Sequence, residues 1–273
     1  MFRTRLISGI VLVALLIFFV LMGNYFVMAF TMGISVVGMF ELYRALKLER
    51  TPMAIAAYIM VPLLYILYSL TSFGIAGAVV LAMIVFMFFY VFSYPKYKAV
   101  DIFAIYFGYI YVALMLFYIY MIRSSYGIYF TFLVFVCSWG CDTMAYCVGM
   151  LCSKTIGTHK MAPVLSPKKS IEGAIGGVAG AALLTFIYLT IFKSKINILT
   201  IGAKDMVIFC IMAAIAGLVS MVGDLTASAI KRNYEIKDYG RLIPGHGGIL
   251  DRFDSVIIIS PIIFYTLALF YSI

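Results

Sequence analysis

Nine long apolar runs dominate the chain, and each is long enough to cross a lipid bilayer as a helix. Crossing the hydrocarbon core takes roughly 20 helical residues. Runs of about that length lie near 6–22, 25–42, 53–70, 73–94, 101–122, 127–151, 171–192, 205–230 and 251–272. Apolar residue types make up 65% of the 273 residues, far above the share in soluble proteins. The sequence therefore predicts an all-α, polytopic integral membrane protein with about nine transmembrane helices.

The first run is interpreted as a helix that stays in the protein. Arg3 and Arg5 precede it, as basic residues precede the apolar part of a signal peptide. However, no small-residue cleavage site follows, and the next apolar run begins almost at once. We therefore count this run among the nine.

The basic residues fall mainly on one side when the nine runs cross the membrane alternately. The smaller group has four members, Arg123, Lys193, Lys195 and Lys204, and the other sixteen of the 20 lysines and arginines lie on the opposite side. Because short cytoplasmic loops are enriched in basic residues, we expect the N-terminus and the polar loops 152–170 and 231–250 to be cytoplasmic. The formal net charge of +9 then reflects topology, and no nucleic-acid-binding motif accompanies it.

Two carboxylates, Asp142 and Asp224, lie inside apolar runs. An ionised carboxylate in hydrocarbon costs at least ~2.5 kcal/mol, so such residues face partners or water. Asp251 and Asp254 begin the last run, three residues apart and hence on one helical face. We expect these four acids to converge at one depth. The alternative, in which each acid pairs with a lysine or arginine of a loop, stays open.

The chemistry of these acids favours a hard cation. Carboxylates without a nearby Cys or His ligand pattern suit Mg²⁺, which commonly binds one or two carboxylates together with substrate phosphates. A phosphate-bearing substrate also explains the basic residues of the loops and helix junctions, which neutralise phosphate charge well. These residues are Lys168, Lys169, Lys231, Arg232, Lys237, Arg241 and Arg252.

Charge is concentrated in residues 228–254. A third of this window is charged, against 11% of the whole chain. The window also contains His246-Gly247-Gly248 after Pro244-Gly245, a turn whose backbone can approach a ligand closely, although it lacks the spacing of a P-loop or a dinucleotide fingerprint. His246 is a candidate base, phosphate donor or supporting residue. We interpret the window as an active-site segment.

This window resembles the signature of the phosphatidate cytidylyltransferases, or CDP-diacylglycerol synthases. The signature reads S-x-[apolar]-K-R-x4-K-D-x-[GSA]-x2-[apolar]-P-x-H-G-G-[apolar]-x-D-R-x-D, and residues 228–254 satisfy every position. An upstream block is also similar to the family, with Asp142-Thr143, Ser166-Pro167-Lys168-Lys169-Ser170 and Gly223-Asp224. The resemblance covers about residues 137–254.

The resemblance implies transfer of a cytidylyl group from CTP to phosphatidic acid, giving CDP-diacylglycerol and pyrophosphate. It implies Asp224 and Asp251 as principal Mg²⁺ ligands, with Asp142 and Asp254 as further ligands or orienting residues, and it leaves a second cation open. His246-Gly247-Gly248 would close over the nucleotide. The implied phosphate-binding and neighbouring residues are Lys168, Lys169, Ser228, Lys231, Arg232, Lys237 and Arg252.

The expected organisation follows from these motifs. We predict one membrane domain over 1–273, with N-terminal transmembrane helices in 1–125 and the catalytic helices and two cytoplasmic loops in 126–273. The expected partners are CTP, phosphatidic acid and membrane lipids, with a homodimer left open and no nucleic acid. The protein is expected in the cytoplasmic membrane, with its active site facing the cytoplasm.

Four glycines of the seventh run share one helical side, which suits close helix packing: Gly173, Gly176, Gly177 and Gly180.

Three alternative functions stay open. A related CTP-dependent lipid enzyme would act on an archaeal ether lipid, as a CDP-archaeol synthase does, or would phosphorylate a polyprenol. A cation transporter would also bury several carboxylates, although transporter carboxylates usually lie near the bilayer midplane between broken helices. A CDP-alcohol phosphotransferase is disfavoured, because its D-G-x2-A-R signature is absent.

Overall fold

The computed structural model describes residues 2–71, 74–196 and 201–271. Within these residues the α-helices are α1 (Phe2–Met22), α2 (Asn24–Ala45), α3 (Pro52–Leu70), α4 (Gly74–Phe92), α5 (Ala99–Gly108), α6 (Met115–Ser125), α7 (Ile128–Thr155), α8 (Ile171–Phe192), α9 (Ala203–Asn233) and α10 (Leu250–Phe270). A π-helical stretch, Tyr109–Leu114, joins α5 to α6, and a 3₁₀ turn, Lys193–Lys195, follows α8.

The helices are those of a polytopic membrane protein. In the described part of the chain, eight spans are long and apolar enough to cross a bilayer, judged by length and composition. One of them, Ala99–Ser125, contains α5, the π-helical stretch and α6, and α1 adds a shorter apolar helix, Leu6–Met22. The prediction of an all-α polytopic membrane protein with about nine helical runs is confirmed.

A short β-hairpin lies between α7 and α8. Strands β1 (Lys160–Ala162) and β2 (Ser166–Ser170) pair antiparallel. The Ser170 hydroxyl then caps α8 by accepting the Gly173 N–H at 3.1 Å, which satisfies one of the N–H groups that a helix start leaves unpaired. The expected loop 152–170 therefore begins with the last turn of α7 and contains ordered strands.

The chain divides into two compact units. Unit 1 comprises Met1–Tyr120 and Tyr234–Arg252, and unit 2 comprises Met121–Asn233 and Phe253–Ile273. The α9–α10 loop, residues 234–249, thus belongs to unit 1 together with the first turn of α10. The prediction of a single membrane domain stays a prediction.

Close helix contacts organise unit 1. Thr51 caps α3 by accepting the Ala54 N–H at 3.2 Å, and Pro52 occupies the first turn, where no N–H is needed. Tyr43 of α2 is fully buried and donates its hydroxyl to the Ile105 carbonyl of α5 at 2.6 Å. A side chain at Gly108 would clash with the Tyr43 ring. The absence of a side chain at Gly108 therefore lets α2 and α5 approach closely.

Glycines produce the close packing of α7 and α8 in unit 2. A Cβ at Gly176 would clash with Val148, and one at Gly180 would clash with Met144. At Gly173 it would lie 2.8 Å from the Ala145 carbonyl oxygen. Without side chains at these positions the two helices approach closely, as small residues permit in membranes. The predicted glycine face is confirmed.

Membrane orientation is predicted by the charge asymmetry. Reporter fusions after Leu46, Lys160 and Glu235 are expected to give cytoplasmic signals, whereas a fusion after Ser194 is expected to give an external signal. Paired reporters that are active on only one side of the membrane, fused at each position, measure this directly. A cytoplasmic signal at Ser194 would contradict the arrangement of nine crossings.

Candidate active site

In unit 2, Asp224 forms an ion pair with a residue of the hairpin. The Asp224 carboxylate of α9 pairs with the Lys169 ammonium of β2, and each side chain is 26% exposed. Ser228 lies one turn later, with its hydroxyl 3.5 Å from Asp224 Oδ1. The structure therefore brings Asp224, Lys169 and Ser228 together in unit 2. The alternative in which each acid pairs with a lysine or arginine of a loop therefore holds for Asp224.

Two more of the predicted acids lie near Asp224. Ser255 of α10 donates its hydroxyl to Asp142 Oδ2 at 3.1 Å, and its N–H bonds to Asp254 Oδ1 at 2.8 Å. Asp254 also lies within electrostatic range of Asp224, Asp142 and Lys231. Three of the four predicted carboxylates thus gather in unit 2. Ser255 links two of them, and sequence reasoning missed it.

The predicted phosphate-binding residues of unit 2 differ in exposure. Lys231 and Arg232 lie in the last turn of α9, where Lys231 is half-buried and Arg232 is exposed. Lys168 of β2 is also exposed. Cations at a helix C-terminus interact favourably with the helix dipole. Exposed cations can bind a phosphate-bearing ligand.

In unit 1, Asp251 organises the α9–α10 loop. Its Oδ2 atom accepts the N–H groups of Tyr239 at 2.8 Å and Gly248 at 3.0 Å, and the residue is only 8% exposed. Gly247 adopts a positive φ of 88°, and a Cβ there would lie 2.8 Å from the same oxygen. Glycine is therefore required by both conformation and space. The sequence predicted Asp251 as a ligand and missed this structural role.

His246 lies at the tip of a tight turn in the same loop. Its N–H bonds to the Ile243 carbonyl at 2.9 Å, and the Ile243 N–H bonds to the Gly247 carbonyl at 2.9 Å. The Ser8 hydroxyl of α1 lies 2.7 Å from His246 Nδ1 and 3.0 Å from the Pro244 carbonyl oxygen. These contacts fix the orientation of the imidazole ring.

An apolar groove runs along α1 and ends at His246. Its volume is about 630 Å³. Its lining residues, as the described part of the chain defines them, are Leu6, Gly9, Ile10, Val13, Ala14, Ile17 and His246. The imidazole is the polar group of this lining. Unit 1 thus places a polar side chain at the end of a surface suited to hydrocarbon.

The remaining predicted site residues of unit 1 have exposed side chains. Lys237 is exposed in the α9–α10 loop, and Arg252 is exposed in the first turn of α10. Both charges are thus available to a soluble anion.

Glu41 is a buried acid that sequence reasoning missed. It is 3% exposed and accepts the N–H groups of Ile249 at 3.1 Å and Leu250 at 2.9 Å. The available signal was an ionisable residue at the end of the apolar run 25–42, one turn before Arg44. An acid at the end of an apolar run is a weaker signal than one deep inside a run, such as Asp142 or Asp224.

The donor atoms fit a hard cation whose coordination shell is completed by other ligands. Within the described residues, no group of three or more His, Cys, Asp or Glu side chains forms a metal site by itself. The acids Asp142, Asp224 and Asp254 nevertheless offer the oxygen donors that Mg²⁺ prefers, and Mg²⁺ usually keeps waters and takes substrate phosphate oxygens. The residues therefore fit Mg²⁺ binding in the presence of a phosphate-bearing substrate.

Comparison with known proteins gives consistent matches. The model of the cytidylyltransferase family matches residues 3–270. A phosphatidate cytidylyltransferase of Bacillus subtilis (strain 168) is 29% identical over 278 residues, which cover 98% of this chain and 98% of that protein.

Two further relatives carry the same name. The protein of Thermotoga maritima is 34% identical over 166 residues, covering 61% of this chain and 58% of its own. The protein of Staphylococcus aureus (strain COL) is 38% identical over 155 residues, covering 56% and 54%. These two alignments thus span a little more than half of each relative.

Proposed function

Because this chain belongs to the cytidylyltransferase family, we propose that it transfers the cytidylyl group of CTP to phosphatidic acid. The products are CDP-diacylglycerol and pyrophosphate. The observation that carries the proposal is the gathering of Asp142, Asp224 and Asp254 with Lys169 and Lys231 in unit 2. Acids that can hold a hard cation and lysines that can hold phosphates are what transfer between two phosphorylated substrates requires.

The reaction needs no protein nucleophile. A phosphate oxygen of phosphatidic acid forms a bond to the α-phosphorus of CTP, and the bond from that phosphorus to the bridging oxygen breaks. Pyrophosphate leaves with the electron pair of the broken bond. Because both substrates are anionic, the protein acts chiefly by positioning them and stabilising the charge of the transition state.

We assign the site residues by analogy to the family and by the depth of the acids in their helices. Asp224 and Asp251 are the principal acids that would hold Mg²⁺, and Asp142 and Asp254 are further ligands or orienting residues. When bound, Mg²⁺ neutralises phosphate charge and orients phosphate oxygens. The residues that hold phosphates are Lys168, Lys169, Lys231, Arg232, Lys237 and Arg252, with Ser228 beside Asp224 and His246-Gly247-Gly248 over the nucleotide.

The membrane location suits the lipid substrate. Multiple apolar helices place the protein in a membrane, and bacterial relatives suggest the cell membrane. We propose that the active site faces the cytoplasm, where CTP is available, because the basic residues of 152–170 and 231–250 follow the positive-inside rule. The groove that ends at His246 is apolar along α1, which matches the hydrocarbon of an acyl chain. A homodimer stays a hypothesis.

A comparison of two lipid acceptors in the same transfer assay tests the proposal. Purified protein in detergent is incubated with Mg²⁺, CTP labelled on its α-phosphorus, and either phosphatidic acid or an archaeal ether-lipid phosphate. We expect label in the lipid fraction with phosphatidic acid and little with the ether lipid. Labelling of the ether lipid alone would instead support CDP-archaeol synthesis. The three relatives compared above carry names that specify phosphatidate, which favours the first outcome.

The exposed cations Lys237 of the loop and Arg252 of α10 give a kinetic prediction. Lys237→Ala and Arg252→Ala are each expected to raise the KM for CTP by roughly tenfold, because a lost charge-assisted hydrogen bond to phosphate is worth ~1.5–3 kcal/mol. Steady-state kinetics with CTP varied at saturating phosphatidic acid measure the change. Lys204→Ala is the matched control, since this lysine lies on the opposite side of the predicted topology. An unchanged KM for CTP in both Lys237→Ala and Arg252→Ala would contradict a role of these two residues in nucleotide binding.

A further inference from the structure

We propose that Glu41 is a positioning residue for cytidylyl transfer, one that holds the α9–α10 loop and the start of α10 in the geometry that the reaction uses. This inference rests on the function proposed above. It adds to the site a residue from α2, outside the region 137–254 that resembles the family signature. The contacts of Glu41, the glycines around it and the neighbouring Arg44 support it.

The Glu41 carboxylate caps the helix that carries Asp251. Oε1 accepts the Ile249 N–H at 3.1 Å, and Oε2 accepts the Leu250 N–H at 2.9 Å. These N–H groups stand at the start of α10, where no carbonyl of the same helix can pair with them. A carboxylate there also interacts favourably with the positive end of the helix dipole. A side chain distant in sequence thus serves as the helix cap.

Two glycines of the loop enclose the same carboxylate. A Cβ at Gly240 would clash with Glu41 Oε1, and a Cβ at Gly248 would clash with both carboxylate oxygens. Glu41 is 3% exposed and both of its oxygens bond to backbone. The carboxylate is therefore enclosed by the protein's own backbone, which makes Glu41 a positioning residue and not a ligand for substrate.

Arg44 gives α2 a second point of attachment to the loop. Its Nη2 atom donates to the Tyr239 carbonyl oxygen at 2.7 Å, and the Tyr239 N–H bonds to Asp251 Oδ2 at 2.8 Å. Asp251 also directly follows Leu250 along the chain. The end of α2 therefore fixes the residues on either side of His246 and the backbone that orients Asp251. Errors of about 1 Å in such positions cost much of the rate.

Glu41→Gln tests this role with the shape of the side chain retained. The amide oxygen can accept one of the two N–H groups, while its NH₂ group faces the other donor. We expect kcat at saturating substrates to fall by about 10–100-fold, as is common for residues that support a site. The KM for phosphatidic acid should stay close to the wild-type value. Hydrogen–deuterium exchange of the Ile249 and Leu250 amides should become faster.

Thr31→Ala is the matched control for a general loss of stability. Thr31 is also fully buried on α2, and its hydroxyl bonds to the Val27 carbonyl of its own helix at 2.8 Å. We expect this variant to keep the wild-type kcat and the wild-type exchange at Ile249 and Leu250. An equal fall of kcat in both variants would make Glu41 merely structural and overturn the proposal, as would wild-type kcat and exchange in Glu41→Gln.

Glu41→Asp keeps the experiment decisive if Glu41→Gln does not accumulate. It retains the charge and shortens the reach by one methylene, so kcat should fall measurably below the wild-type value, again with little change in the KM for phosphatidic acid. Wild-type kcat in Glu41→Asp would then overturn the proposal. If the wild-type chain transferred no cytidylyl group, the proposed function would fail, and the exchange experiment would still decide whether Glu41 holds the loop.

Discussion

Asp224→Asn is expected to lower cytidylyl transfer on the order of 100-fold or more while the protein stays inserted and folded. Asparagine retains the size and hydrogen-bonding capacity of aspartate but lacks the charge that a hard divalent cation and Lys169 require. Initial rates of lipid labelling, at saturating CTP and Mg²⁺, measure the loss. Asp224→Glu should restore little activity, because Mg²⁺ tolerates only near-ideal octahedral geometry.

The stability of Asp224→Asn should change little. The ion pair with Lys169 is partly solvated, so its loss costs about 1 kcal/mol or less. Removing the charge also relieves repulsion from Asp254. Thermal unfolding in detergent therefore separates catalytic loss from misfolding. Asp205→Asn, near the other end of α9, is the matched control and should keep near-normal activity. Full activity in Asp224→Asn would remove Asp224 from the site.

Asp251→Asn is expected to cause a comparable loss of activity. Its amide oxygen can still accept the Tyr239 and Gly248 N–H groups that Asp251 Oδ2 accepts, so the loop should keep its fold while the charge disappears. Measuring activity and thermal unfolding on the same preparation separates these effects. Near-normal Mg²⁺-dependent transfer in this variant would contradict the assignment of Asp251 as a ligand.

Asp251→Ala distinguishes the structural role of the same residue. Alanine leaves two N–H groups without their acceptor, which should lower the free energy of unfolding by about 1–3 kcal/mol in addition to abolishing activity. Asp251→Asn should show little of this destabilisation. Equal unfolding temperatures for the two variants would mean that Asp251 Oδ2 does not stabilise the loop.

The helices could be predicted from the sequence because membrane spans depend on length and apolarity alone. The run 53–70 corresponds to α3 at Pro52–Leu70, and 205–230 lies within α9 at Ala203–Asn233. The helix ends were less predictable, since α7 continues to Thr155 and its polar last turns carry little hydropathy signal. The hairpin between α7 and α8 was also missed, because two short polar strands have no apolar periodicity.

The acids of the candidate site could be predicted because charge inside apolar runs is costly and therefore conspicuous. Their partners could not, since the Asp224–Lys169 pair and the Ser255–Asp142 bond join residues far apart in sequence. The role of Glu41 could not be predicted for a similar reason. Its partners are backbone N–H groups more than 200 residues away, and backbone donors carry no sequence signal.

The fate of the individual phosphates of CTP tests the central claim most directly. Wild-type protein is incubated with phosphatidic acid and Mg²⁺, and with CTP labelled on either the α- or the γ-phosphorus. Cytidylyl transfer predicts that the α-label enters the lipid and that the γ-label appears only in pyrophosphate. Entry of the γ-label into lipid would indicate a CTP-dependent kinase, and absence of both labels from lipid would indicate no transfer at all; either result would contradict the account.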